Sequence, residues 1–320
     1  MFFKKCITEW SECGYNSRVK MLNEIENFLD CADQYLIGRR TEIHLSLLGI
    51  LSRGHILIED QPGMGKTVLA NLLAQLLDRP LNRIQFTNDL LPADILGGPV
   101  WIKDQSNFVF EPGPIFGEML LADELNRASP KTQSALLQAM EERQVSIDNK
   151  DHPLPDHFCV LATQNPYEQV GTHALPESQL DRFTIGLTLE LPSRSLEKKI
   201  LIMDDPREKI KQLNACITKE LAGELFKRSK EVVVSEQLLE YVLDLLQGLR
   251  KNGAHISPRA GQDLIVLAKM QAVFNQRSHV APDDIQFLAS SVLGHRVGGG
   301  RGMKVGQFEV TRLINELPIP

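Results

Sequence analysis

The chain has 320 residues, of which 42% are hydrophobic, and carries a formal charge of −6 with a pI near 5.8. That length and composition allow a full core, suggest one large domain plus a smaller one, and exclude intrinsic disorder. The acidic balance gives no electrostatic reason to expect a nucleic-acid or anionic-membrane surface, and the longest apolar runs, such as Leu45 to Leu51, are too short to span a bilayer.

In chain order, residues 1 to about 34 read as an N-terminal helical extension, with an apolar stripe at Met21, Ile25, Phe28 and Leu29. The opening MFFKKCITEW lacks the apolar stretch of a secretory signal. Five cysteines (Cys6, Cys13, Cys31, Cys159 and Cys216) are scattered without a C-x-x-C pair, so a reduced, cytoplasmic chain is expected. Next comes HILIEDQPGMGKT, residues 55–67, where an apolar strand runs into a Gly-rich turn ending in Lys66 and Thr67. Such a loop cradles phosphates with backbone N–H groups and the N-terminus of the following helix, while the Lys adds charge and the Thr hydroxyl reaches Mg²⁺. Asp60 stands where the strict spacing G-x-x-x-x-G-K-[ST] has its first Gly. An extra carboxylate there is tolerable if it points away from the phosphates, and Asp adopts left-handed backbone angles better than most residues. Val68, Leu69, Leu72, Leu73, Leu76 and Leu77 then recur at helical spacing.

The run MLLADELNRA from Met119 ends in two acids: Asp123, placed to hold a metal through its water shell, and Glu124, placed to polarise an attacking water. For an isolated acidic pair, capping of the next helix is the plainer reading; with the Lys66/Thr67 loop upstream the metal-and-base reading is preferred. The strand FCVLAT from Phe158 ends in Gln164 and Asn165, with Pro166 stopping it. Arg182, in LPESQLDRF, suits bidentate phosphate contact, although a surface salt bridge with Asp181 is the plainer reading. His152, His157 and Cys159 invite a metal site, but no fourth ligand stands at diagnostic spacing.

Five apolar runs alternate with helical stretches: His55 to Glu59, Arg83 to Phe86, Met119 to Ala122, Phe158 to Thr163 and Ile185 to Glu190. This argues for a parallel sheet with its site at the strands' C-terminal ends. Thr87 to Phe116, rich in Gly and Pro, reads as short strands and turns, and Val145 to Pro155 as a hairpin with Asp148-Asn149 near its tip. Trp101 and Phe108 could face a client or pack a small insert. After Leu191-Pro192 the pattern is helical, with a stripe at Leu238, Leu239, Val242, Leu245, Leu246 and Leu249, another from Leu264, and a helix start at Pro282-Asp283-Asp284. The expected division is residues 1–34 as extension, 35–191 as nucleotide-binding core, 192–215 as linker and 216–320 as helical lid.

The series DQPGMGKT, LLADELNRASPKTQSALLQAME, VLATQNPYEQVGTHALPESQLDRF and ISPRA resembles the MoxR family of AAA+ ATPases, over nearly the whole chain from about Tyr35 to Arg296. The resemblance implies an α/β P-loop sheet of order 5-1-4-3-2 with a helix-2 insert, a hairpin before sensor 1 and an all-α lid. It implies ATP bound by Pro62, Gly63, Met64, Gly65, Lys66, Thr67 and Val68, with Ile37 and Gly38 near the adenine and Mg²⁺ on Thr67 and Asp123. Glu124 would be the base, Asn165 the first sensor, Arg182 the arginine finger given to a neighbouring subunit, and Arg259 the second sensor, tying the lid to the nucleotide. It further implies a ring, expected to be a hexamer, that remodels a protein client with a von Willebrand factor A domain partner. Two other functions stay open at this point: a nucleotide-gated binding module with little turnover, disfavoured by the full set Glu124, Asn165 and Arg182, and a DNA-associated motor, disfavoured by the lack of a basic stripe.

Overall fold

The computed structural model describes residues 21, 23–61, 63–147, 149–166 and 171–319. Helix α1 (residues 23–35) and α2 (Arg40–Leu51) precede β1 (Ile56–Glu59), α3 (Lys66–Leu76) and β2 (Leu81–Gln85). The first insert holds α4 (Pro92–Leu96) and the antiparallel pair β3 (Gly97–Ile102) and β4 (Asn107–Pro112). Then come β5 (Met119–Asp123), α5 (Pro130–Glu142), the hairpin β6 (Gln144–Ile147) and β7 (Lys150–Pro153), β8 (Cys159–Gln164), α6 (Glu177–Leu180) and β9 (Ile185–Leu187). Helices α7 (Arg194–Leu201) and α8 (Arg207–Ile210) occupy the expected linker. The lid comprises α9 (Lys219–Glu231), α10 (Glu236–Lys251), α11 (Pro258–Phe274), α12 (Pro282–Gly298) and α13 (Met303–Glu316).

The main sheet runs β2-β5-β8-β1-β9 with every neighbouring pair parallel. Numbering these five strands along the chain gives 5-1-4-3-2, the order expected. The interior strand β1 is buried at every residue, because β8 and β9 flank it and helices cover both faces; a run such as Ile-Leu-Ile suits that place better than alternation. Successive side chains still divide between faces. Ile56, Ile58, Met119, Leu121, Cys159 and Leu161 join the core with α1, α2, α3 and the lid helices, whereas Leu57, Leu120, Ala122, Val160 and Ala162 pack towards α5 and the first insert.

The N-terminal stripe Met21, Ile25, Phe28 and Leu29 is buried in the first of these cores. Residues 1–20, with Cys6 and Cys13, lie outside the described residues, as does Asp148 in the hairpin turn; Asn149 beside it is left-handed at φ 59°. Trp101 and Phe108 face each other across β3 and β4, with ring centroids 5.0 Å apart, yet both stay exposed, at 52% and 61%. They pack on one another rather than form a buried core for the insert.

Helix α12 seats the lid on the edge of the sheet. Twelve of its residues are buried, so it has no solvent stripe for sequence periodicity to register. Its partner α13 approaches so closely that a Cβ on Gly306 would lie 2.0 Å from the carbonyl oxygen of Gly294. On the other side His295 Nε2 lies 2.9 Å from the Phe183 carbonyl, just ahead of β9. His295 and His55 are fully buried, and burial, with Arg296 and Arg143 nearby, pushes each imidazole down to about 3 from 6.5. Both are therefore neutral when folded but protonate below 6.5 once unfolded. Stability is thus complete above 6.5 and should fall as pH drops towards 3, by about 2 kcal/mol per histidine at pH 5. Urea midpoints between pH 7 and 5 should decline, and His55→Gln should flatten the slope; an unchanged slope in that variant would refute the assignment.

Candidate active site

The loop after β1 takes its left-handed turns at Gly63 and Gly65, with φ of 86° and 91°, where an L side chain would be strained. Asp60 therefore needs no left-handed geometry: its Oδ1 accepts the Gln61 N–H at 2.7 Å, turning the carboxylate back on its own loop. Lys66 is 9% exposed, and its Nζ donates to the Asp60 carbonyl at 2.9 Å. Burial lowers its pKa, opposed by Asp123, Asp60 and Glu124. Helix α3 starts at Lys66 behind Gly65, with no side chain capping its first N–H groups. A buried ammonium with no carboxylate in direct contact among the described residues, at a helix N-terminus, fits a phosphate. Thr67 and Val68 are half-buried at the same end, and Pro62 lies outside the described residues.

Parallel register brings the ends of the neighbouring strands level with this loop: Glu59 pairs with Gln164, and Gln85 with Asp123. Thr163, fully buried on β8, ties the two acids together; its Oγ1 donates to Asp123 Oδ1 at 2.7 Å and accepts the Glu124 N–H at 2.9 Å. Glu124 is left-handed, φ 57° and ψ 48°, a costly state for a residue with a long side chain and one that structures retain where a side chain must be aimed. Its Oε2 accepts from Gln85 Nε2 at 2.8 Å and pairs with Arg127 at 3.0 Å, while Arg83 pairs with Asp123 Oδ2 at 2.8 Å. No cluster of three or more His, Cys, Asp or Glu able to hold a metal occurs among the described residues, which bears on His152, His157 and Cys159. A single carboxylate with Thr67 suits Mg²⁺, which keeps waters and phosphate oxygens as its remaining ligands.

Asn165 borders a cavity of about 810 Å³ together with Met64, Asn126 and the lid segment Gly299–Gly302, Lys304 and Val305. A second cavity of about 570 Å³ shares Thr188, Glu190, Leu191 and Lys304 with it and reaches Gly38 and Leu196. Leu36, just before the Ile37-Gly38 turn, lies against the loop, for a Cβ on Gly65 would come within 3.1 Å of Leu36 Cδ1. The two spaces thus lead from the phosphate loop towards the expected adenine position.

Arg182 and Arg259 lie elsewhere. Both pair with Glu141, at 3.0 Å each. Glu141 lies in the last turn of α5, at the end of the sheet where the strands begin: the carbonyl of neighbouring Met140 meets His55 Nε2 at 3.3 Å, and Arg143 Nη1 donates to the Phe158 carbonyl at 3.3 Å. His55 and Phe158 immediately precede β1 and β8, whereas the phosphate loop follows the far end of β1, roughly 13 Å away for a four-residue strand. The lid therefore meets its own cleft through the start of α13, not through Arg259.

Residues 55–185 match the ATPase family associated with various cellular activities (AAA), and residues 253–312 match the AAA lid domain. The chain is 36% identical over 281 residues to the chaperone MoxR1 of Mycobacterium tuberculosis, spanning 82% of this chain and 72% of that protein. The chain belongs to the MoxR family of AAA+ ATPases. It is also 41% identical to the uncharacterized protein YeaC of Bacillus subtilis over 83% of this chain and 84% of YeaC. The crystal structure of a Cytophaga hutchinsonii protein assigned as an ATPase superimposes with a TM-score of 0.82 at 34% identity, covering 97% and 98% of the two chains.

Within this AAA+ fold, several contacts were not visible in the motifs. Gln85, Arg83 and Arg127 hold the two acids, and Glu59 binds the lid: its Oε1 accepts the Met303 N–H at 2.7 Å, and its Oε2 accepts from Gln164 at 2.7 Å. A carboxylate at the start of α13 complements the helix dipole and joins phosphate loop, strand β8 and lid in one contact. For Arg83 and Gln85 the available signal is their alternation with Ile84 in the mixed strand Leu-Asn-Arg-Ile-Gln, which sets both on its more open face.

Proposed function

We propose that this MoxR-family ATPase is an ATP-driven, ring-forming machine that remodels a protein client. The observation that carries the reading is the placement of Arg182 and Arg259 at the end of the sheet opposite their own phosphate loop. One chain then holds half a site, and a neighbour's arginines complete it. Lys66, the loop amides and Val68 at the start of α3 bind ATP; Thr67 and Asp123 would hold Mg²⁺, which when bound would supply charge neutralisation on the phosphates; Glu124 takes the proton of the attacking water, and Asn165 orients that water. Gln85 and Arg127 draw the Glu124 carboxylate aside, so hydrolysis requires this contact to yield.

The relative MoxR1 carries the name chaperone, which supports a protein client. Exposed Trp101 and Phe108 on the first insert give such a client an aromatic contact. A hexamer, a von Willebrand factor A domain partner and a cytoplasmic setting belong to the same reading, as do the divisions at 34, 191 and 215. No helix among the described residues is long and apolar enough to cross a membrane.

Hydrogen exchange on Glu124→Gln, with and without ATP, should change protection in Thr87–Phe116, in residues 145–155 and around Met303, because Glu59, β5 and β8 link these segments to the loop. A pull-down in the ATP state should enrich a protein. Unchanged exchange together with ATP-dependent retention of DNA would defeat the remodelling reading.

A further inference from the structure

Glu141 divides its carboxylate between two cations from separate elements. Oε2 lies 3.0 Å from Arg182 Nη2, on the turn before β9, and Oε1 lies 3.0 Å from Arg259 Nη1, in the first turn of α11. Each guanidinium meets the carboxylate through one terminal nitrogen, although it has five donors in a fork suited to phosphate. The three side chains are between 27% and 45% exposed, so the cluster is open to a docking partner.

The backbones beneath are fixed independently. Arg296, buried in α12, pairs with Asp181 and Asp263, and Ser257 Oγ donates to Asp181 Oδ2 at 2.7 Å. This network anchors the residue before Arg182 and the N-cap of α11, two positions before Arg259. Of its members Asp263 acts on one tip, through its charge on Arg259; the tips themselves are long, rich in rotamers and mutually repulsive, and Glu141 is the carboxylate in contact with both.

We propose that Glu141 is the positioning residue for this pair, holding Arg182 and Arg259 together as one cationic unit presented to the neighbouring subunit's phosphates. The inference rests on the shared-site reading above. The carboxylate offsets the repulsion between the two guanidiniums and fixes their spacing before the neighbour docks, so the pair need not be ordered at each turnover. It touches neither nucleotide nor water and acts only through the arginines.

The test uses the full chain with Glu141→Gln, which keeps shape and removes charge, and Glu141→Asp, which keeps charge. Misplaced charge-stabilising groups cost ten- to a hundredfold, so Glu141→Gln should lower kcat at saturating ATP by about tenfold or more. The KM for ATP, nucleotide affinity and ATP-dependent assembly should be unchanged, and Glu141→Asp should recover part of the loss. In an Arg259→Ala background the further effect of Glu141→Gln should shrink markedly, because one member of the pair is already gone. Unchanged or faster turnover in Glu141→Gln would overturn the proposal, as would loss of assembly or an undiminished effect in the Arg259→Ala background. If mixed Lys66→Ala and Arg182→Ala subunits recover activity while Glu141→Gln is silent, the role of Glu141 alone is wrong; if mixing recovers nothing, the shared site itself fails.

Discussion

Lys66→Ala should abolish ATP binding, whereas Glu124→Gln should keep ATP bound and lose hydrolysis by two to four powers of ten. The two residues act at different points of the reaction. Lys66 is nine-tenths buried at the uncapped start of α3, and its only hydrogen-bond acceptor among the described residues is the Asp60 carbonyl. Its charge is held there at a desolvation cost that a bound triphosphate would offset, so removing it weakens the ground state itself. Glu124 follows β5 in a left-handed conformation secured by Thr163; its charge pairs with Arg127 at rest and is needed in the reaction by the water, not by the phosphates in the ground state. General-base assistance contributes about 10²–10⁴-fold, and the Gln variant retains the shape without the basicity. Equilibrium binding of labelled ATP and steady-state phosphate release should therefore separate. Fast turnover by Glu124→Gln would remove this residue from the base role, and tight binding by Lys66→Ala would mean the loop amides suffice.

Much of this fold was legible because its signals are local. The Gly-Met-Gly-Lys-Thr turn, the apolar run ending at Asp123 and the polar stop at Asn165 each place a strand end by sequence neighbours alone. The strand order was implied by resemblance, and the parallel register makes it concrete. Asp60 illustrates where residue-level reasoning stopped short: the concern was its backbone angle, but the loop assigns its positive φ to Gly63 and Gly65 and uses the Asp60 side chain to cap Gln61. Contacts spanning the chain were beyond reach. Glu59 and Met303 are 244 positions apart, and Arg259 and Glu141 are 118 apart; nothing in either neighbourhood announces the other. Arg182 combines both lessons, because its motif pointed to phosphate and its structural partner is a carboxylate. The plainer reading, a salt bridge with Asp181, finds Asp181 engaged instead with Arg296 and Ser257.

The second large effect concerns the division of one site between two chains. Arg182→Ala should bind ATP normally, because its guanidinium lies at the strand-start end with Glu141, and should lose hydrolysis by at least about 10³-fold, the contribution expected of an arginine finger. A residue acting on its own chain's nucleotide would give the same single-variant result, so the decisive experiment combines two inactive proteins. Lys66→Ala subunits have intact arginines and a dead loop; Arg182→Ala subunits have an intact loop and no finger. In a randomly mixed head-to-tail ring, about a quarter of the interfaces join a working loop to a working arginine, and activity should return towards that fraction of wild type. Arg259→Ala mixed with Lys66→Ala should recover in the same way, since Arg259 lies beside Arg182 on Glu141. Recovery for Arg182 without Arg259 would place the lid arginine outside the shared chemistry. No recovery in either mixture, or full activity in protein that stays monomeric with ATP, would return all the chemistry to a single chain.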